Sequence, residues 1–456
     1  MYDVVVIGGG PGGYAASIRT AQLGGRAAMV EASIIGGVCV NSGCIPTKVW
    51  HRAAYLLTNL RTAGDFGIKA ALEGLDLDAL KSRKDGVAGD IRLGMEGLLK
   101  NNGVELIPGR AVLKSPREVE VAGKILETRK IILATGGTLA LPETPGLEDA
   151  ALTTSQALDL TRLPASILVW GGGAIEVELA ALLQVFGVKV TLIEKERRIL
   201  PREDHDASQR VAQGLRELGV ELLTRCDLTS VTPAKGGFDA KLGGAEERTI
   251  NVERVLISAR RPNTAGLGLN GLGIKLNDEG GIQVNDFLET TASGVYAIGD
   301  CTGGWMLSHA ASAMAVTSAE NAMGQAKKFP FHLISRGIWT IPEVGAVGLS
   351  EEEAEKQGRE VETGSFPYAI NGLAMARNEM AGEVKVVFDP EFGEILGVHI
   401  VGAGATELIG EAVLAMQLEG TVKELAAGFR VHPTYSEAVV DAARDALGWA
   451  LYLPKR

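Results

Sequence analysis

Tyr2-Asp3-Val4-Val5-Val6-Ile7-Gly8-Gly9-Gly10-Pro11-Gly12-Gly13 opens the chain, and its reading decides the fold. The apolar, β-branched run predicts a buried strand, and the glycines at 8, 10 and 13 have G-x-G-x-x-G spacing. Each has a physical task. Gly8 makes the tight turn, Gly10 lets a pyrophosphate approach the backbone, and Gly13 lets the following helix pack closely on the strand. The amides at the helix start then face the phosphates with partial positive charge. Ala27-Ala28-Met29-Val30 predicts a second strand ending on Glu31, 18 residues beyond Gly13, where a carboxylate can accept ribose hydroxyls. Strand, turn, helix and acid together make a dinucleotide-binding unit, which a glycine triad alone would not.

The pattern recurs once. Ile167-Leu168-Val169-Trp170 runs into Gly171-Gly172-Gly173-Ala174-Ile175-Glu176, then a helix, then Lys189-Val190-Thr191-Leu192-Ile193-Glu194. Two such units imply two dinucleotides, or one and a degenerate copy. The second copy departs from the pattern, because Glu176 stands at the third glycine position. Its bulk and charge are expected to weaken binding there. Glu194 repels a 2′-phosphate and so favours NAD over NADP. Lys195, Arg197 and Arg198 follow at once and read as a solvated turn. Further on, Val295-Tyr296-Ala297-Ile298-Gly299-Asp300 is a short apolar strand ending on a carboxylate, where the first unit is expected to resume.

The chain has 456 residues, too many for one core. Pro142, Pro145, Pro262 and Pro330 mark breaks, giving expected domains at 1–145, 146–265, 266–334 and 335–456, with the third completing the first. The last segment predicts strands (Glu383–Phe388, Ile395–Val401) and helices (Thr406–Glu419, Ser436–Gly448) without a glycine turn. The fold class is therefore α/β, two Rossmann-like domains followed by an α+β domain. A net charge of −11 argues against a nucleic-acid partner. No apolar run is long enough for a membrane helix, and no basic leader precedes the first strand, so a cytoplasmic location is expected.

Four cysteines are too few for a disulfide scaffold. Two of them lie five positions apart in Gly36-Gly37-Val38-Cys39-Val40-Asn41-Ser42-Gly43-Cys44-Ile45-Pro46-Thr47-Lys48. Such a pair can meet across one distorted helical turn as a reversible disulfide. Half a zinc site and two buried thiols are the alternatives. Zinc needs about four ligands, and Cys226 and Cys301 have no Cys or His at ligand spacing, so no metal is expected. Near the other end, His432 and Glu437 flank a Pro-Thr turn before a helix. Histidine titrates near neutrality, and a glutamate on one ring nitrogen fixes its tautomer. An ordinary helix-start histidine with a first-turn acid has the same spacing.

Together these segments resemble the pyridine nucleotide–disulfide oxidoreductase family over essentially the whole chain. The resemblance also rests on Ala134-Thr135-Gly136, Arg260-Arg261-Pro262-Asn263, Met306-Leu307-Ser308-His309, Pro342-Glu343-Val344 and His432-Pro433-Thr434-Tyr435-Ser436-Glu437. It implies FAD at Gly8, Gly10, Gly13, Glu31, Gly37, Lys48, Ala111, Thr135, Gly136, Asp300 and Ser308. It implies NAD at Gly171, Gly173, Ala174, Ile175, Glu194, Leu228 and Ala259, the last standing where relatives usually have glycine. By the same resemblance Cys44 is the thiol beside the flavin and Cys39 exchanges with the substrate disulfide. Lys48 reaches the flavin and pairs with Glu178, and the His432–Glu437 dyad serves the partner subunit of a homodimer. Relatives often carry a second histidine where this chain has Arg430. The implied substrate is a disulfide carried by a lipoyl domain of a multienzyme complex, or another small disulfide of the glutathione type.

Overall fold

A computed structural model describes residues 1–454. Val4, Val5 and Val6 are fully buried, which is why the opening strand Tyr2–Ile7 sits inside a parallel sheet. Ala27–Glu31 pairs with it on one side and Lys124–Leu133 on the other. Glu105–Pro108 extends the first edge, and Val295–Ala297 pairs in parallel with Lys124–Leu133. The chain thus returns to its first sheet at 295, after building a second one.

The second sheet is parallel throughout, in the order Glu221–Thr224, Lys189–Glu194, Ser166–Trp170, Arg254–Ile257, Ala151–Thr153. An antiparallel three-stranded sheet, Cys226–Ala234, Gly237–Gly244 and Arg248–Val252, adjoins it. Chain exit and return are stitched together where Gly137–Leu139 pairs antiparallel with Arg260–Pro262. The C-terminal segment forms a five-stranded antiparallel sheet. The helices Ala405–Gln417 and Ser436–Ala446 pack their buried alanines and valines on it.

The strands and helices expected in the C-terminal segment are present. Both strands have the expected bounds, and the helices end two residues early, at Gln417 and Ala446. Leu418 and Leu447 terminate them as backbone caps.

A buried ionic cluster joins the second sheet to the C-terminal sheet. Arg336 Nε lies 2.9 Å from Glu203 Oε2, with side chains only 5% and 6% exposed. Lys385 contacts Asp204, Asp206 and Glu351 at 3.3, 2.8 and 2.6 Å. The loop that carries Glu203 and Asp204 follows Glu194, and the Leu200 amide donates to the Gly172 carbonyl at 2.7 Å. The same loop therefore touches the second glycine turn at one end and the C-terminal sheet at the other.

The two glycine turns have nearly the same backbone. Gly8 and Gly171 have φ of +109° and +111°, and Gly10 and Gly173 precede their helices at φ −75° and −74°. The helices, Pro11–Gln22 and Ala174–Val185, are equally long at 12 residues. Only the third position differs. A Cβ on Gly13 would overlap the Gly8 carbonyl oxygen, whereas Glu176 is accommodated at the matching place. The first turn therefore leaves no room for a side chain at the position where the second holds one. Gly13→Ala should destabilise the protein by about 1–3 kcal/mol, the scale of an overpacked core. Urea unfolding measures this, and an unchanged midpoint would mean that the first turn can make room for a side chain as the second does.

Candidate active site

The cysteine segment is seated on the first glycine turn. The Gly36 amide donates to the Gly9 carbonyl at 2.8 Å, and a Cβ on Gly37 would come within 2.9 Å of Gly10 Cα. Two backbones approach this closely only because both positions lack side chains. Cys39 lies in the short helix Gly37–Asn41, and Cys44 begins the helix Cys44–Thr62. Asn41 Nδ2 ties the short helix together through the Ile35 and Gly37 carbonyls at 3.0 and 2.8 Å.

Both cysteines are free thiols, with Cys39 partly buried and Cys44 exposed toward Ser308. The two thiols interact, and the interaction divides their acidities. The Cys39 thiol, aided by Ser308 and Lys48, pulls the Cys44 thiol down to about 6, against the opposing effect of burial. Cys39 is pushed strongly upward, first by its interaction with Cys44 and then by burial. As a pair, the first proton leaves chiefly from Cys44.

Lys48 lies one turn along the helix from Cys44. Its Nζ is 3.1 Å from Glu178 Oε2 and 3.9 Å from the centre of the Trp339 ring. Glu178 Oε1 accepts from the Trp339 amide at 2.9 Å. Glu178 belongs to the second glycine-turn helix and Trp339 to the C-terminal segment, so three distant parts of the chain fix one ammonium.

Ser308 begins the helix Ser308–Ala322, its Oγ 3.3 Å from Cys44 Sγ. Asp300 Oδ2 is 3.2 Å from Arg260 Nη1, and burial pushes the Asp300 carboxyl up while Arg260 opposes it. Thr135 Oγ1 donates to the Asn263 carbonyl at 2.7 Å, and the Asn263 amide returns a bond to Gly136 at 2.9 Å. Ala111 is buried in the strand Ala111–Ser115. Glu31 Oε2 accepts from the Gly9 amide at 2.6 Å and Oε1 from Ser33 at 2.7 Å. The expected ribose acceptor is thus oriented by the turn it serves. An uncapped helix start, a side-chain-free approach at Gly10 and an oriented acid fit an adenine dinucleotide such as FAD.

Glu194 repeats the arrangement, accepting from Gly172 at 2.6 Å and Glu196 at 2.8 Å. Ala174 and Ala259 are exposed, and Ile175 lies between them in burial and the core behind. Leu228 is instead a core side chain, packed with Ile193, Leu168 and Val231. Lys195 and Arg197 are exposed, and Arg198 pairs with Glu352 at 2.6 Å. Glu176 retains the turn conformation, but its carboxylate accepts from Ser258 and lies over the glycines.

His432 Nδ1 is 2.9 Å from Glu437 Oε1, and Glu437 Oε2 accepts from the Thr434 amide at 2.7 Å. The histidine side chain is 78% exposed, beside the fully exposed Phe429. Among the described residues, His432 makes no hydrogen bond to the cysteine segment of its own chain. Arg430 turns away to Glu411 at 2.7 Å. Ser258 and Trp339 were not singled out in the sequence. Neither has a local signal, since each acts on a residue far away in the chain.

This combination of two dinucleotide folds and a paired dithiol defines a class. The family described as pyridine nucleotide-disulphide oxidoreductase matches residues 2–315, and its dimerisation domain matches 334–443. The chain belongs to that family and is an oxidoreductase with a dimerisation domain. It is 41% identical to a dihydrolipoyl dehydrogenase of Thermus scotoductus, over 100% of this chain and 99% of the relative. It is 36% identical to the enzyme of the same name from Bacillus subtilis, over 99% of each. Among solved structures it resembles LpdA of Mycobacterium tuberculosis, with a TM-score of 0.88 and 28% identity over 97% of this chain and 98% of that one. The flavoprotein disulfide reductase RclA of Escherichia coli superposes with a TM-score of 0.85 and 26% identity, over 96% and 99%. No helix among the described residues is long and apolar enough to cross a membrane.

The reduced dithiol should lose its first proton near pH 6, with thiolate present above that pH and thiol below it. Ser308→Ala and Lys48→Met remove groups that favour the thiolate, so each should move the midpoint upward. Ultraviolet thiolate absorbance or alkylation rates across pH read this directly. A midpoint that ignores both substitutions counts against the geometry described.

Proposed function

We propose that the chain oxidises protein-bound dihydrolipoyl groups with NAD, through a Cys39–Cys44 disulfide and a His432–Glu437 dyad. The observation that carries the reading is the unequal thiol pair, held against Ser308 and the Lys48–Glu178 ion pair. In the forward direction a substrate thiolate attacks Cys39 Sγ of the oxidised pair, and Cys44 leaves as a thiolate. A leaving thiol of low pKa departs faster, which suits Cys44. The second substrate thiol then attacks its own mixed disulfide and frees Cys39. His432 takes up the protons these thiols release, with Glu437 holding its tautomer. FAD, when bound along the first glycine turn and Glu31, supplies the two-electron relay from Cys44 to NAD at the second turn.

The domain reading follows the same division. Residues 1–145 and 266–334 hold FAD, 146–265 hold NAD with Glu194 favouring it over NADP, and 335–456 form the dimer. The exposure of His432 beside Phe429 and Val431 supports a dyad that works on a partner subunit. Sparse cysteines support a reducing compartment, the cytoplasm. The lipoyl domain of a 2-oxoacid dehydrogenase or glycine-cleavage complex is the proposed carrier.

Steady-state turnover with dihydrolipoamide or reduced glutathione, each with NAD or NADP, tests the reading. Dihydrolipoamide with NAD should be preferred, and a preference for glutathione would overturn it. In the two-electron-reduced protein, Cys44→Ser should abolish the long-wavelength charge-transfer absorbance.

His432→Gln should lower turnover by a factor of about 10²–10⁴ while flavin stays bound. Mixing it with Cys39→Ser protein, after verified subunit exchange, should restore activity toward about a quarter of wild type, because one site of each mixed dimer carries neither lesion. Activity that stays at the level of the separate variants would rule out a shared site.

A further inference from the structure

The two glycine turns differ in what stands over them. A Cβ on Gly10 would find only Gly37 Cα, at 3.8 Å. A Cβ on its counterpart Gly173 would meet Glu176 Oε2 at 2.8 Å, and one on Gly171 would lie 3.4 Å from Oε1. The space that admits a pyrophosphate at the first turn is therefore taken, at the second, by a folded-back carboxyl. Ser258 Oγ donates to Oε1, and the amide of Glu176 itself also bonds the carboxyl. Ser258 is buried just past the strand Arg254–Ile257, which pairs with Ser166–Trp170, the strand that leads into the turn. The crevice at the carboxyl ends of these strands is where a dinucleotide lies.

The charges around Glu176 do not neutralise it. On one side is Glu194, whose carboxylate is bound to Gly172. On the other is Arg260, which is already engaged by Asp300 and by the Met306 carbonyl, each at 3.2 Å. Among the described residues Glu176 has no ion-pair partner within salt-bridge distance, and it stands in the first turn of its helix, whose positive end favours an anion.

We propose that Glu176 and Ser258 form a proton-operated latch on the nicotinamide site, so that NAD enters with uptake of one proton by the Glu176 carboxyl. This deepens the reading that the second turn takes NAD and rests on it. An ionised carboxyl repels the incoming pyrophosphate, whereas a protonated one donates a hydrogen bond to it. Burial already pushes the Glu176 carboxyl upward, with Glu194 adding and Ser258 and Arg260 opposing. Binding the dinucleotide raises it further. Between the carboxyl's pKa in the free protein and in the complex, Kd rises about tenfold per pH unit. It is flat below and above that window. Low pH therefore favours binding.

The test is calorimetric titration of oxidised holoenzyme with NAD across pH, in buffers of different ionisation enthalpy, which counts protons directly. Wild type should take up close to one proton within the window. Glu176→Gln and Glu176→Gly should bind with none and with a flat Kd. Ser258→Ala removes a bond to the charged form, so its window should move to higher pH. Wild-type binding without proton uptake, or the same uptake in Glu176→Gln, overturns the latch and leaves the NAD assignment standing. If wild type and both Glu176 variants fail to bind NAD at every pH while FAD stays bound, the assignment of this turn falls, and the latch with it.

Discussion

Everything at the centre of this molecule depends on two stretches of bare backbone lying against each other. Gly9-Gly10 and Gly36-Gly37 touch through one amide–carbonyl bond and a contact that a single methyl group would obstruct. That contact sets where the helix Gly37–Asn41 begins, and hence where Cys39 lies. It also sets the start of Cys44–Thr62, whose next turn delivers Lys48 to Glu178. Two thiol sulfurs are thus placed by a glycine turn, with no dedicated scaffold of their own. The cost is conformational entropy at four glycines, offset by burial of the strands on both sides.

Electrostatics then makes the two thiols unequal. Ser308 and the Lys48 ammonium favour a thiolate at either position, but the interaction between the thiols favours it at Cys44 and opposes it at Cys39. Lys48 in turn is held by a carboxylate on one side and the Trp339 ring on the other. An ammonium over an indole face is attracted by the ring quadrupole while part of its water is displaced.

What was legible in the sequence was whatever is local. Strand, glycine turn, helix and acid lie within about thirty residues of each other, and their spacing is dictated by one βαβ unit. The return to the first sheet at Val295 was legible too, because an apolar strand ending on Asp300 is itself a short pattern. The Lys48–Glu178 pair could be anticipated only through resemblance to a family, since 130 residues separate its members. Trp339 and Ser258 escaped notice because each acts through a contact made by tertiary packing. Glu176 was visible as a departure, but its direction was not. Its bulk and charge were expected to weaken binding at the turn. The side chain folds over the turn toward a hydroxyl that no local pattern could indicate.

The Arg336–Glu203 and Lys385–Asp204 contacts bear on how the molecule comes apart. Buried ion pairs add little net stability when formed, but losing one partner strands the other charge in a poor solvent. The second sheet and the C-terminal sheet therefore cannot separate one at a time without stranding several charges together. Although the chain folds as distinct sheets, these two belong to one cooperative block. A recombinant chimera that exchanged either half alone would inherit the mismatch.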